Sequence, residues 1–144
     1  MLKKGVYFPN KREVNAHDFK YSFERTADPK TKSPNSWIFE NIIGARDFMN
    51  GRADDIKGIV VQDDYTLELR LDKPFSPFLS LLTMTAAYVV PKEDVEKWGA
   101  DFSSHPIGTG PFLLTSWLPL MRAMALSLTD QPTSVVMSRS LLSS

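Results

Sequence analysis

The sequence predicts a mixed α+β fold, and three stretches carry that prediction. Thr66-Leu67-Glu68-Leu69-Arg70-Leu71 alternates leucine with polar residues, which puts all three leucines on one face of a pleated strand. Ile59-Val60-Val61 supplies a β-branched run able to pair with it across a reversal at Asp63-Asp64. Asn15 stands three residues before Asp18, and Ala16, Phe19 and Phe23 recur at helical spacing up to Asp28-Pro29, the pattern of a capped amphipathic helix. A helix and a hairpin that each present one apolar face need a common core.

The remaining elements follow in order. Residues 2–8 read as a short strand ended by the turn Pro9-Asn10-Lys11-Arg12. After the helix that starts at Asn15 comes a basic loop at 30–32. Ser33-Pro34 then opens a second helix, whose Ile38, Ile42, Ala45 and Met49 form an apolar stripe closed by Gly51. A polar connector at 52–57 leads into the hairpin. Ser76-Pro77 reads as N-cap and first residue of a third helix, with Phe78, Leu79, Leu81 and Leu82 available for packing. Ala87-Tyr88-Val89-Val90 reads as a strand, and Pro91 opens a short helix with Glu93 and Asp94 in its first turn, Lys97 in its last and Gly99 after it. Residues 103–106 are loop, Ile107-Gly108-Thr109-Gly110 is a glycine-permissive turn, and residues 111–117 read as a final strand.

At 144 residues, 42% hydrophobic and 24% charged, the chain has the composition of one modest soluble domain. Its 17 basic and 17 acidic side chains cancel, so no bulk field selects nucleic acid or an anionic membrane as partner. The absence of cysteine excludes disulfides and thiolate metal ligands. Met1-Leu2-Lys3-Lys4-Gly5 carries the charge of an export signal, but Pro9-Asn10-Lys11-Arg12-Glu13 falls where its apolar region would run, so no export signal is read here. No membrane span is read either: the best apolar stretch, 78–91, is short and interrupted by Ser80, Thr83 and Thr85.

Few residues offer chemistry. Asp54-Asp55 and Asp63-Asp64 could serve as acid/base or metal carboxylates, but neighbouring acids on a strand face opposite ways and no third ligand accompanies them, so solvated turns are the reading. His17 and His105 lie far apart without metal-ligand spacing, which favours surface or locally hydrogen-bonded roles. No nucleophile, base and orienting group occur together, so the chain is read as a non-enzyme without cofactor or metal. Gly108-Thr109-Gly110 lacks the third glycine and the Gly-Lys-Ser/Thr of a phosphate loop, and a strand follows it, so it reads as a turn that brings backbone close to another segment or to a ligand. The aromatics Tyr21, Phe23, Trp37, Phe39 and Phe48 sit at helical spacing and read as core, not as a base-stacking platform.

Seven of these segments in order resemble one family. They are residues 2–8, Val14-Asn15-Ala16-His17-Asp18-Phe19-Lys20-Tyr21-Ser22-Phe23-Glu24-Arg25, Asp28-Pro29-Lys30-Thr31, Ser33-Pro34, Asp63-Asp64-Tyr65-Thr66-Leu67, Tyr88-Val89-Val90-Pro91-Lys92-Glu93 and Pro106-Ile107-Gly108-Thr109-Gly110-Pro111-Phe112. The order is similar to that of the peptide- and nickel-type (family 5) extracellular solute-binding proteins of ABC importers, from about Leu2 to Trp117. The resemblance implies part of the first lobe of a two-lobed periplasmic-binding-protein-like fold. It also implies a parent protein outside the cytoplasmic membrane that captures a peptide or other small solute and delivers it to an ABC permease, with nickel or a sugar also within the family's range. Of the matched positions, Gly108, Thr109 and Gly110 are the candidates to line the ligand cleft. Family members usually carry glycine where Lys11 stands, and they are several times longer.

Beyond Trp117 the composition changes. The 27 residues 118–144 hold Arg122, Asp130 and Arg139 as their charges and no aromatic residue. Residues 118–128 read as a weak apolar helix and residues 138–144 as disordered. Read one frame away, Met124-Ala125 encodes glycine, and residues 125–128 permit the Val/Ile-rich strand that the family carries next, so a frameshift after Trp117 is expected, with 118–144 a non-native tail. The competing expectation is a truncated inert product, or a small protein-interaction module that binds no solute of its own.

Overall fold

The computed structural model describes residues 1–110, 112–120 and 123–130. Its organising element is helix α1 (Ala16–Ala27), which starts where the sequence says it should. The Asn15 side chain accepts the backbone N–H groups of His17 and Asp18, and the Asp18 carboxylate accepts that of Asn15, a reciprocal capping box that satisfies otherwise unpaired donors. The helix stops at Asp28, whose side chain caps the 3-10 turn Pro29–Thr31. One face of α1 buries Phe23 and Ala27 in the main core with Ile38, Phe39, Ile42, Ile56, Ile59 and Phe78. Phe23 stacks on Phe39 with ring centroids 4.8 Å apart, whereas Trp37 of the same aromatic set is 48% exposed and stands outside the core. Phe8, Val14 and Val89 make a smaller cluster, and Phe19 touches both.

Strands β1 (Ile59–Asp63) and β2 (Thr66–Leu69) pair antiparallel as the alternation predicts, with Ile59 opposite Leu69 and Val61 opposite Leu67. The reversal contains an irregularity between Val61 and Asp63, and the Asp63 carboxylate accepts the Tyr65 N–H at 2.8 Å, the local bond by which Asp forms a turn without glycine. Helix α4 (Lys92–Trp98) ends at Gly99, which takes φ +51°, again as read.

Several expectations fail, each through a contact distant in sequence. The helix read from Ser33 is two pieces, a 3-10 turn Ser36–Phe39 and helix α2 (Ala45–Met49). Gly44 between them takes φ +82°, and the Ile43 backbone bonds both Gly58 and Arg70, donating to Arg70 O and accepting from Gly58 N–H, while the Arg70 N–H bonds Gly58 O directly. Its apolar stripe is nonetheless buried: Ile38, Ile42 and Ala45 are all within 1% exposure. Residues 2–8 form no strand beyond the bridge Tyr7–Glu13, and 87–90 form none at all. There the Val90 N–H bonds the Ser22 hydroxyl of α1 instead of a neighbouring strand. Ser76 does not cap helix α3 (Phe78–Leu81), which buries Phe78 and leaves Leu79 75% exposed.

The final strand is longer than read. β3 (Phe112–Leu120) pairs antiparallel with β4 (Ala123–Asp130), so the positions read as a weak helix over 118–128 are strand wherever they are described. Ala123-Met124-Ala125-Leu126-Ser127-Leu128 alternates small with large side chains, a period of two, and the sequence there lacks the polar face that a surface helix requires. Pro111 and the stretch 138–144 read as disordered lie outside the described residues.

Lys11 takes φ +66° in the turn between Phe8 and Arg12. That left-handed conformation is the one a glycine adopts without steric cost.

Candidate functional site

The loop holding Gly108, Thr109 and Gly110 hangs from a stem built by α4 and α1. After Gly99 the chain runs through a 3-10 turn (Gly99–Ser104) and folds back so that the His105 imidazole lies flat on the Trp98 indole, centroids 3.6 Å apart and planes within 8°. His105 also donates its backbone N–H to Phe102 O at 3.0 Å. The Phe102 ring sits 5.1 Å from the Arg25 guanidinium, which ties the stem to α1.

A second tie fixes α4. The Arg12 guanidinium grips Asp18 through both oxygens, at 2.6 and 2.9 Å, and Glu93 through its Nε and a terminal nitrogen, at 2.6 and 3.2 Å. Asn10 adds a bond to Glu93 at 2.9 Å. These bonds hold the Glu93 carboxyl below the usual carboxylate range, with the Arg12 hydrogen bonds the main cause. The same partners push the Arg12 guanidinium well above its ordinary value. One arginine therefore clamps the amino-terminal turn, α1 and α4 together.

At the end of this stem Gly108, Thr109 and Gly110 are all exposed. Neither glycine takes a positive φ, and a Cβ built on either would meet nothing within 4 Å among the described residues. The chain bends at Thr109 and Gly110, with no backbone hydrogen bond closing a turn there among the described residues. What the loop offers is neutral: backbone N–H and C=O groups and one hydroxyl, suited to hydrogen-bonding an extended polar ligand and not to proton transfer.

The other residues singled out in the sequence do not converge on it. Asp54, Asp55, Asp63 and Asp64 are exposed, and the structure uses Asp63 in its turn and Asp55 in a pair with Lys20 at 3.5 Å. His17 is exposed, while His105 serves the stem. No group of three metal-ligating side chains occurs among the described residues, and no helix there is long and apolar enough to cross a membrane. The Arg12 clamp escaped sequence reading because Glu93 lies 81 residues from Arg12; the capping box at Asn15 and Asp18 was its one local signal. Also unread was an apolar groove of about 560 Å³ along β2 and α3, lined by Leu67, Leu69, Leu71, Phe75 and Leu79.

Comparison with known proteins gives these features a context. Residues 1–124 match the family described as bacterial extracellular solute-binding proteins, family 5 Middle. The periplasmic murein peptide-binding protein MppA of Escherichia coli K12 is 37% identical over 118 residues, covering 78% of this chain and 22% of that protein. The dipeptide-binding protein DppE of Bacillus subtilis is 32% identical over 121 residues, covering 81% and 22%. Among solved structures, OppA of Burkholderia pseudomallei superposes with a TM-score of 0.78 at 27% identity, covering 91% of this chain and 26% of that one. The chain thus spans about a fifth of the length of these curated relatives. With the family matched over most of its length and the fold shared with solved relatives, this chain belongs to the family 5 bacterial extracellular solute-binding proteins.

Proposed function

We propose that the chain is part of the substrate-binding component of an ABC importer for peptides or similar solutes, and that Gly108, Thr109 and Gly110 line the cleft that holds the solute. The observation that carries this reading is the pair of glycines on an anchored stem, where neither the backbone angle nor a neighbour among the described residues calls for glycine. Side-chain-free backbone lets an extended ligand approach closely, and the names of the relatives point to peptides. The role is capture, not catalysis. It operates in the periplasm or outside the cell and hands the solute to a permease. Because affinity in such a cleft comes from burying the ligand between two lobes, the parent protein binds tightly and residues 1–117 alone bind little. In the same reading residues 118–144 are translated from a shifted frame, which the gene sequence beyond the Trp117 codon tests by encoding, or failing to encode, a second lobe in the alternative frame.

The experiment is a thermal-shift titration of the two-lobed parent with di- and oligopeptides. A hundredfold excess over Kd should add about 2.7 kcal/mol of stability. Gly108→Val and Gly110→Val should weaken peptide binding at least tenfold while leaving the unliganded melting temperature unchanged. Peptide binding unaltered by both substitutions sinks the site assignment, and no stabilisation by any peptide sinks the function. A second reading, a small interaction module, is favoured by the open apolar groove with Leu79 75% exposed. It requires that no product of the gene be stabilised by peptides.

A further inference from the structure

Two arginines are half-buried in the described structure, and they differ in one respect. Arg12 meets two carboxylates, whereas no carboxylate lies within ion-pairing distance of Arg25 among the described residues. The Phe102 ring fixes the direction of the Arg25 guanidinium without neutralising it. Its place in the last turn of α1 sets it at the helix's negative end, which favours its charge without supplying a carboxylate partner.

Arg25 lines a groove of about 230 Å³ together with Ser33, Asn35, Thr85 and Tyr88. Two further hydroxyls on its wall, those of Ser22 and Thr26, are occupied by backbone carbonyls of Asp18, Val90, Ser22 and Ala86. The Asn35 backbone N–H bonds the Ser33 hydroxyl at 3.3 Å, whereas the Asn35 side-chain amide and the exposed Thr85 hydroxyl bond no other described residue. The groove therefore joins one directed cation to free neutral hydrogen-bonding groups.

We propose that this groove binds a small monocarboxylate, its carboxylate paired with the Arg25 guanidinium and its remaining polar atoms with Asn35 and Thr85. A guanidinium fork matches the plane of a carboxylate, and a single cation balances a single negative charge, which disfavours a phosphate dianion. No carboxylate lines the groove to receive an ammonium group, so a neutral hydroxylated tail fits better than a zwitterion. At about 30 Å³ for each water volume the groove holds about eight, room enough for a short hydroxy acid. The site is separate from the loop at 108–110 and does not depend on its assignment.

The test is an amide-resolved NMR titration of the 144-residue chain with sodium lactate, against sodium chloride at equal ionic strength and neutral lactamide. Lactate should produce saturable shifts, with a millimolar midpoint, confined to the amides around Arg25, Ser33, Asn35, Thr85 and Tyr88. Arg25→Gln should weaken binding at least tenfold. Asn35→Asp, which sets a carboxylate opposite the guanidinium without touching the Arg25–Phe102 contact, should weaken it as much and decides the matter if Arg25→Gln does not fold. Equal shifts with chloride or lactamide, absence of saturable shifts with lactate, or an unchanged midpoint in folded Asn35→Asp overturns the proposal.

Discussion

Replacing Arg12 by alanine should unfold this domain more readily than any other single change on its surface. The substitution removes two hydrogen bonds to Asp18, at 2.6 and 2.9 Å, and two to Glu93, at 2.6 and 3.2 Å. The Asp18 side chain is 6% exposed, so its carboxylate stays buried with the Asn15 N–H as its remaining donor. Stranding a buried charged group in this way costs about 2–3 kcal/mol. The Glu93 side chain is 45% exposed, and its share is no more than about 1 kcal/mol. The expected loss is therefore about 3 kcal/mol, or about 10 °C in Tm for a chain of this size. Urea unfolding followed by far-UV circular dichroism reads it directly. Two outcomes refute the reasoning: Arg12→Ala within about 0.5 kcal/mol of the parent, or Arg12→Ala and Asp18→Asn effects that simply add, since residues sharing one buried network should couple by about 1 kcal/mol or more. Glu93→Gln should cost clearly less than Arg12→Ala. Acid weakens the clamp in a defined direction. Because the folded state holds the Glu93 carboxyl below its unfolded value, this contribution is complete above the unfolded value and is lost as pH falls through the depressed folded one, so the gap between Arg12→Ala and the parent should narrow in acid.

Three further outcomes follow from single positions. Lys11→Gly should raise stability by about 0.5–1 kcal/mol, because relief of a left-handed lysine exceeds the added entropy of the unfolded chain; an unchanged or lower urea midpoint contradicts the φ of +66°. Gly58→Ala should cost about 1–3 kcal/mol, since its Cβ would stand 2.6 Å from Ile42 Cγ2 and 2.7 Å from Arg70 O, and a neutral result would mean that Ile42 and Arg70 do not crowd Gly58 in this way. Burial raises the Glu24 carboxyl above its ordinary value, so stability should fall as pH rises from the unfolded value through the raised folded one; Glu24→Gln, which can still accept the Ile56 N–H, should flatten that slope, and an undiminished slope assigns it elsewhere.

What the sequence made legible was whatever is decided within a few residues. The cap of α1 is an Asn15–Asp18 exchange, the β1–β2 pairing is a period of two, and the stop of α4 is Gly99. Burial was legible further than geometry. Ile38, Ile42 and Ala45 are buried as the stripe demands although no continuous helix carries them, and around Tyr88 the alternation of buried Ala87 and Val89 holds although no strand exists there. The hydrophobic pattern records which side chains face the core. The backbone route between them is chosen by remote partners, Arg70 and Gly58 for Ile43 and the Ser22 hydroxyl for Val90, and spacing along the chain contains no term for those.

The same distinction bears on the candidate loop. A glycine pair invites two explanations internal to the protein, a left-handed backbone angle or crowding by a neighbouring segment, and both apply elsewhere in this chain: Gly44 has the angle and Gly58 the crowding. At Gly108 and Gly110 neither applies among the described residues, although the stem is held by an aromatic stack and, through α4 and α1, by the Arg12 clamp. Glycine in an uncrowded loop without a positive φ costs conformational entropy on folding and returns no packing. Rigid support beneath a chain stretch stripped of side chains is what close approach by something outside that stretch requires, and the bulk of a valine at Gly108 should be felt only when that second surface is present.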